Sequence, residues 1–518
     1  MVSLAELAES EKKINNNNKK IIGFTDLKKF IGSTCRIVQS HGVFDLLHIG
    51  HIKHFQAAKK HGDILIVSIT PDCFVNKGPN RPRFTEKLRA EAIAALGCVD
   101  FVIINQWPTA VEAISIIKPA IYAKGDEYKK SENDITGKID DEAAAVMKVG
   151  GKMLFTNEPT FSSSSLLNEF FSPFSSDTIS YLDQFKKKYH SQDIFSYLNK
   201  SKNLKILLIG ESIIDAYRFA EVIGKSGKEP TLVAKYRHRE LYAGGILAMA
   251  NHLSDFCAEI TCLTYLGENA EHENFIRNSI AHNVNLEIIY KKNSPTIVKT
   301  RFLDEYLKQK IFEEYEINDD FLERDQENEL LEKINMLLKS HDLVIVADYG
   351  HGLLNEMTID FITQHSKFLS VNTQANAGNH GFNFISKYVK ANYIVVASRE
   401  LQLNYRQKHL TVSEQLERLV TEHQYDNAMI TGGKSGAYVC KRGLPIVKVP
   451  AFATSVVDRV GAGDAVLAIS SLYAYHNAPA EMIGFIGNVV GAEAVNIMGN
   501  KSAINKISLM KHIDCLLK

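Results

Sequence analysis

His48 and His51 are separated by one isoleucine and one glycine, and they follow the run RIVQSHGVFDLL at residues 36–47. Ile37 and Val38 read as strand, His41 and Gly42 as a tight turn, and the segment from about Leu47 as a helix whose unpaired N–H groups face that turn. The helix dipole adds positive potential at the same point. Two histidines at this spacing share one face of the first helical turn, so both imidazoles can point at an anion lodged at the helix start. The chemistry that uses such a pair is nucleotidyl transfer, in which a phosphate oxygen attacks the α-phosphorus of a nucleoside triphosphate and pyrophosphate leaves. N–H donors in a partly dehydrated pocket stabilise the charge that grows on the phosphate oxygens, each for roughly 3 kcal/mol of barrier. Two histidines on the polar face of an ordinary helix are the plain alternative, and it gives no reason for the strand and the glycine turn.

A second constellation lies at residues 458–465, DRVGAGDA, followed by an apolar helix over residues 466–475. Gly461 and Gly463 let the backbone around Ala462 fold closely enough to aim several N–H groups at one point, which would be a transferring phosphate. Asp464, at the helix start, is placed to accept the proton of an attacking hydroxyl. Taken by itself, the same motif also fits an N-cap aspartate after a glycine turn.

These residues need a scaffold, and the composition bounds it. The chain has 518 residues, with 60 basic and 60 acidic side chains for zero formal net charge. That length predicts two or three domains of an ordinary globular kind. The charge balance gives no support for nucleic-acid or anionic-membrane binding. Seven cysteines without Cys-x-x-Cys spacing point to reduced thiols and a cytoplasmic location, and against thiolate metal sites. No apolar run approaches the roughly 20 residues that span a bilayer.

Residues 1–22, with NNNNKK at 15–20, read as a flexible lead-in. A short helix over 26–31 with Thr25 as N-cap follows. Residues 63–70, 99–104, 120–124 and 152–156 read as strands, which with the first strand and helix imply a parallel sheet. Lys77, Arg81 and Arg83 lie in a Pro- and Gly-broken loop, and Arg89 on a helix beginning near Thr85. Beside a triphosphate, such cations would clamp its outer oxygens; a solvated basic loop is the equal alternative.

GVFDLLHIGH resembles the signature of the cytidylyltransferase-like nucleotidyltransferases, and the resemblance runs from about Thr25 to Phe170. It implies that His48 and His51 handle the triphosphate, that Gly42, Phe44 and Asp45 shape the pocket floor, and that Arg81 and Arg89 bind the nucleotide. Residues 124–128, KGDEY, resemble a Lys-Gly-Gly-Asp-Tyr segment of sugar-phosphate members, which implies a nucleotide role for Lys124 and Gly125; Asp126 stands where a second glycine is usual. Residues 161–167, FSSSSLL, resemble the family's Ser/Thr motif at a helix start, where Ser163 and Ser164 would donate to phosphate or ribose, or cap the helix.

Residues 176–202 read as a linker, so the transferase domain is expected over 23–175 and a second α/β domain over 203–518. This second half resembles the ribokinase-like (PfkB) sugar kinases. Residues 210–215, GESIID, resemble their opening strand and sugar-binding aspartate, Asp215; Gly244 and Gly245 resemble their glycine pair. Residues 431–436, TGGKSG, resemble the nucleotide-side turn with Gly433 and Lys434, and Asp348 in VADYGHG resembles a sugar-site segment of heptose kinases. Glu400 would serve Mg2+. Strand-like alternation over 218–238 and 296–317 matches the lid sheet that covers the sugar and pairs two subunits in that family. Departures touch sugar and magnesium contacts: Ala248 and Ala397 replace asparagines, Asn372 an acidic residue, and Arg459 and Val460 threonines, while residues 371–381 form the unusual run VNTQANAGNHG.

The fold expected is α/β throughout, two Rossmann-like three-layer domains, the second with a small β-sheet lid. Together the halves resemble the bifunctional heptose kinase/adenylyltransferases of ADP-heptose synthesis, with the domain order reversed. The implied function is nucleotide-sugar synthesis: transfer from ATP or CTP to a heptose-like sugar 1-phosphate, and Mg-ATP-dependent phosphorylation of a sugar or sugar phosphate. The alternative is a cytidylyltransferase for a polyol phosphate carrying a non-catalytic sugar-binding module.

Overall fold

The computed structural model describes residues 20–30, 35–75, 77–78, 81–126, 129, 137–157, 168, 172–407 and 409–518. Contacts divide the chain into two compact units, Met1–Pro173 together with Met510–Lys518, and Phe174–Leu509.

The first unit is a wholly parallel sheet of five strands, β1 Ile37–Gly42, β2 Ile64–Ile69, β3 Phe101–Ile104, β4 Ile121–Gly125 and β5 Lys152–Thr156, in the order β3-β2-β1-β4-β5. Helices α1 Ile49–Lys59, α2 Glu86–Ala94, α3 Val111–Ile117 and α4 Ile139–Lys148 fill the crossovers. Alternation along the strands builds two cores. Leu65, Val67 and Ile69 meet Phe55 of α1 and Ile93 of α2. Ile66 and Ile103 meet Ala113 and Ile117 of α3. Burial on both faces is why β2 and β3 read as apolar runs. The lead-in is not loose to residue 22: Ile21 bridges Val102 in parallel, and the Lys20 ammonium donates to the carbonyls of Leu96 and Val99 at 3.1 and 2.9 Å. Thr25 lies inside a short 3-10 turn, Phe24–Asp26, whose N-cap is Gly23.

In the second unit, residues expected as a linker form α5 Ser176–Lys188 and α6 Ser191–Lys200. They belong to the unit's core: Phe185 stacks on Phe485 at 4.3 Å, and the Tyr473 hydroxyl donates to the Ile194 carbonyl at 3.0 Å. A nine-stranded sheet follows, made of β6 Lys205–Gly210, β9 Glu259–Gly267, β10 Val284–Lys291, β13 Leu343–Asp348, β14 Leu369–Thr373, β15 Lys390–Ala397, β16 Gln424–Thr431, β17 Ala437–Lys441 and β18 Val447–Val449. Its order is β10-β9-β6-β13-β14-β15-β16-β17-β18, antiparallel only in the β16–β17 and β17–β18 pairs. A separate four-stranded sheet is built from β7 Ser212–Lys225, β8 Leu232–Gly245, β11 Val298–Asp304 and β12 Lys310–Glu316, in the order β12-β11-β7-β8. Helix α7 Ile246–Ser254 leaves β8 directly. The helix after the Gly-Ala-Gly-Asp motif starts earlier than residue 466, as α8 Ala462–Tyr475, and is buried nearly all round beside α9 Ala480–Ala494. Helix α10, Lys506–Leu517, carries the chain back to the first unit at Met510. Among the described residues no helix is long and apolar enough to cross a membrane.

Candidate active sites

In the first unit the strand order reverses between β1 and β4, and the crevice beyond the C-terminal ends of such strands is where open α/β sheets bind ligands. His48 caps α1 there with extended backbone, and its Nδ1 accepts the Gly50 N–H at 3.1 Å. That bond sets the tautomer, because an accepting Nδ1 leaves the proton on Nε2. His51 stacks on it with ring centroids 3.8 Å apart. Phe44 stands edge-on behind, 5.1 Å from the His51 ring, held at φ 51°. A β-carbon on Gly42 would press on the Phe44 ring at 2.9 Å, which is what the glycine avoids. Burial holds His51 down at about 3 and lowers His48, so both are neutral donors at pH 7.

Below the pair lies a polar floor that sequence reasoning missed. His41 bonds Ser68 Oγ at 3.0 Å and Thr70 Oγ1 at 3.3 Å; His54 bridges Ser40 Oγ at 2.8 Å and Thr156 Oγ1 at 2.6 Å. Burial, with Lys124 nearby, holds these imidazoles at about 3 and about 4. His54 lies three residues beyond His51 on α1, and that spacing was the available signal.

Two expected ligand contacts are corrected by geometry. Arg89 is 1% exposed, and its guanidinium donates to the carbonyls of Phe84, Val43 and Thr70 at 3.0, 2.5 and 2.8 Å and to Asp72 at 2.6 Å. Its fork braces the loop after β1. Asp45 is no open floor: Oδ1 accepts the N–H groups of Arg83 and Phe84 at 2.6 and 3.1 Å, and Oδ2 lies 3.4 Å from Arg81. Arg81 also reaches Asn168 Oδ1 at 3.4 Å. Lys124, at the end of β4 beside Gly125, pairs with Glu142 of α4 at 2.8 Å. Ser163 and Ser164, with Glu127 and Tyr128, lie outside the described residues.

In the second unit the order reverses between β6 and β13. Asp464 faces that point from the first turn of α8 and is 6% exposed. Its Oδ1 accepts from the Tyr349 hydroxyl at 2.9 Å and from the Gln374 amide at 2.6 Å, which leaves Oδ2 for other work. Burial pushes its carboxyl up to about 7, against those two bonds. Gly461 takes φ 77°, where a β-carbon would run into the Asn500 side chain. The glycine thereby turns the Ala462–Gly463 backbone into the helix start, where first-turn N–H groups lack intrahelical acceptors.

Asp215 on β7 is buried, paired with Arg301 of β11 and 3.3 Å from the Asn500 amide. Gly244 lies against it, since a β-carbon there would strike the Asp215 carboxylate, and Gly245 takes φ 58° at the start of α7. Lys299, opposite Asp215 in the β7–β11 register, is 6% exposed, and burial lowers its pKa. Gly433 and Lys434 form an exposed turn between β16 and β17.

Two further expectations change. Asp348 is 1% exposed, and its carboxylate is occupied by Tyr388 and Lys387 at 2.8 and 2.5 Å on Oδ2 and by Gly350 N–H at 3.0 Å on Oδ1. It orders its own turn and has little left for a sugar. Glu400 accepts the N–H groups of Ala397 and Ala375 at 2.9 and 3.0 Å, capping a helix. Among the described residues no group of three or more His, Cys, Asp or Glu side chains could hold a metal ion.

The run at 371–381 has a function in the fold. Asn376 and Asn379 donate to the Tyr349 carbonyl at 2.9 and 2.7 Å, and Asn383 to that of Asp348 at 2.9 Å. These amides stitch the loop onto residues 348–351 and carry Gln374 to Asp464.

Residues 203–506 match the model of the pfkB family carbohydrate kinases, and residues 40–170 the cytidylyltransferase-like model. The chain is 39% identical over 123 residues to the bifunctional protein HldE of Geobacter metallireducens, covering 23% of this chain and 24% of that protein. It is 40% identical over 129 residues to HldE of Pelobacter propionicus, covering 24% and 26%. The chain thus spans about a quarter of the length of the curated relatives it matches. The crystal structure of phosphofructokinase-2 from Escherichia coli in complex with potassium aligns with 61% of this chain and 100% of its own, at 16% identity and a TM-score of 0.49.

Proposed function

Because the chain belongs to the pfkB family of carbohydrate kinases through residues 203–506 and carries a cytidylyltransferase-like domain at 40–170, we propose that it performs two phosphorus transfers in nucleotide-sugar synthesis. The first unit transfers a nucleotidyl group from ATP or CTP to a heptose-like sugar 1-phosphate. The second phosphorylates a sugar or sugar phosphate with Mg-ATP. One observation supports both: each unit sets its reactive side chains at a helix start beside the strand-order reversal of its own parallel sheet.

In the transferase reaction an oxygen of the sugar phosphate attacks the α-phosphorus, the bond from that phosphorus to the bridging oxygen breaks, and pyrophosphate departs. His48, through Nε2–H, and His51 donate to the oxygens that gain charge. Arg81 and Lys77 meet the outer phosphates, while Arg89 and Asp45 hold the loops that carry them. In the kinase reaction Asp464 Oδ2 takes the acceptor hydroxyl proton as that oxygen attacks the γ-phosphorus and ADP leaves. N–H groups at residues 461–463 receive the phosphoryl oxygens, and Asp215 orients the acceptor. The buried cations Lys299 and Arg301 favour an anionic, phosphorylated acceptor. Mg2+ held by the nucleotide's own phosphates would shield their charge. The exposed Val222, Ile223, Leu232 and Tyr236 on the lid hairpin support pairing of two copies through that sheet, and reduced cysteines fit the cytoplasm.

Pyrophosphate release from a panel of sugar 1-phosphates with ATP and CTP, and ADP formation from a panel of sugars and sugar phosphates, test this reading. One productive pair in each assay is expected. Nucleotide binding with no turnover in the second assay would instead favour the binding-module reading, which the internal pairing of Asp348 and Glu400 also supports.

Gln374 is a positioning residue in this scheme. Gln374→Ala removes a hydrogen bond that favours the charged form of Asp464, so the acid limb of the kinase pH profile is expected to move up by about one unit. An unmoved limb with lower activity would reduce Gln374 to a packing role.

A further inference from the structure

The first unit contains nine residues from the far end of the sequence, Met510–Lys518, and they lie against the loop that carries its cations. Asn168 donates its amide N–H to the Cys515 carbonyl at 2.7 Å. That donation fixes the amide orientation and turns Oδ1 toward Arg81, whose guanidinium it meets at 3.4 Å. Asp45 holds the same guanidinium from the other side at 3.4 Å. The helix carbonyl, the amide, the guanidinium and the carboxylate thus form one line.

A second contact is independent of the first. Gly78, in the same loop, has φ 89°, and a β-carbon there would overlap the ring of His512, which is 4% exposed. The backbone at Gly78 therefore lies directly on the helix. Lys77, whose ammonium burial weakens, is within electrostatic reach of Cys515, Lys518, Asp45, Arg81 and His51. Cys515 and Lys518 of the returning segment and His51 of the pair thus act on the same ammonium.

We propose that residues 510–518 are a working part of the transferase site, bracing the Lys77–Arg81 loop in the position from which both cations meet the triphosphate. The inference rests on the nucleotidyltransferase reading of the first unit. Its ligand class is the β,γ-phosphate end of a nucleoside triphosphate, and its consequence is kinetic. Losing one charge-assisted contact to that end weakens triphosphate capture by about ten- to hundredfold. The histidine pair, which serves the α-phosphorus, is untouched.

The test is made on the full chain and on two variants. One ends at Leu509; the other is Asn168→Leu, close in volume and unable to make either bond. KM for Mg-ATP and Mg-CTP in pyrophosphate release is expected to rise about tenfold or more in both, with kcat changed less. ADP formation by the kinase half serves as the internal control for folding. Hydrogen exchange of amides 77–84 reports separately whether the loop has been released. Faster exchange with unchanged KM would overturn the proposal and leave the helix as packing only. Absence of pyrophosphate release from the intact chain would remove the transferase reading itself and this inference with it.

Discussion

Asp464→Asn is expected to lower ATP-dependent phosphorylation by about a thousandfold while leaving ATP affinity within a few fold, the loss usual for a positioned general base. Asparagine keeps an Oδ1 that can accept from Tyr349 and Gln374, so the effect isolates the missing base. The wild-type rate should rise with pH through about 7, because only the ionised carboxylate accepts a proton. Stability runs the other way. The folded carboxyl is raised from 3.8 to about 7, so the protonated form favours folding below 3.8, and this advantage is lost as pH rises through about 7. The Asp464→Asn variant avoids the burial of charge. Its melting temperature should exceed that of the wild type at pH 8 and match it near pH 4. Steady-state ADP formation and thermal unfolding at these two pH values check both halves; a variant retaining a tenth of the activity would exclude Asp464 as the base.

His48→Ala and His51→Ala are each expected to cut pyrophosphate release by a hundred- to a thousandfold. The double variant should lose little more than the worse single one, since rings stacked at 3.8 Å act on one phosphate as a unit. Because burial keeps His51 at about 3 and lowers His48, neither needs to be charged in the free protein. The contribution of His51 to the transferase rate should accordingly stay level from pH 6 to 8, across the range where an ordinary imidazole at about 6.5 titrates. Rates measured over that range check it; a fall centred near 6.5 would mean that a charged imidazole, or another group, controls the step.

Much of the scaffold was readable from local pattern. β-branched runs buried on both faces mark parallel strands, and a glycine turn before the paired His48 and His51 marks α1. The Gly461–Asp464 turn was readable for the same reason, because its geometry is decided by residues adjacent in sequence. The missed features depend on what meets in space. Arg89 has the composition of a phosphate ligand, and only its burial under Phe84 and Thr70 reveals a brace. Asp348 and Glu400 are carboxylates whose occupancy depends on Lys387, Tyr388 and the N–H of Ala375. Gln374 reaches Asp464 across 90 residues, and no local period encodes that. The linker reading failed because α5 and α6 have a polar exterior, while the residues that bind them to the core, Phe185 and Ile194, meet the distant Phe485 and Tyr473.

The bond between Asn168 and Cys515 joins residues 347 apart. A ribosome adding about 5 to 20 residues per second therefore needs roughly 20 to 70 s between the two. Throughout that interval the nascent chain displays the sheet and the histidine pair with the Lys77–Arg81 loop unbraced. Residues 510–518 close it only after the whole second unit has emerged. Messenger cleavage or proteolysis anywhere in between would yield a fragment that holds the histidines but lacks the segment on which its loop rests.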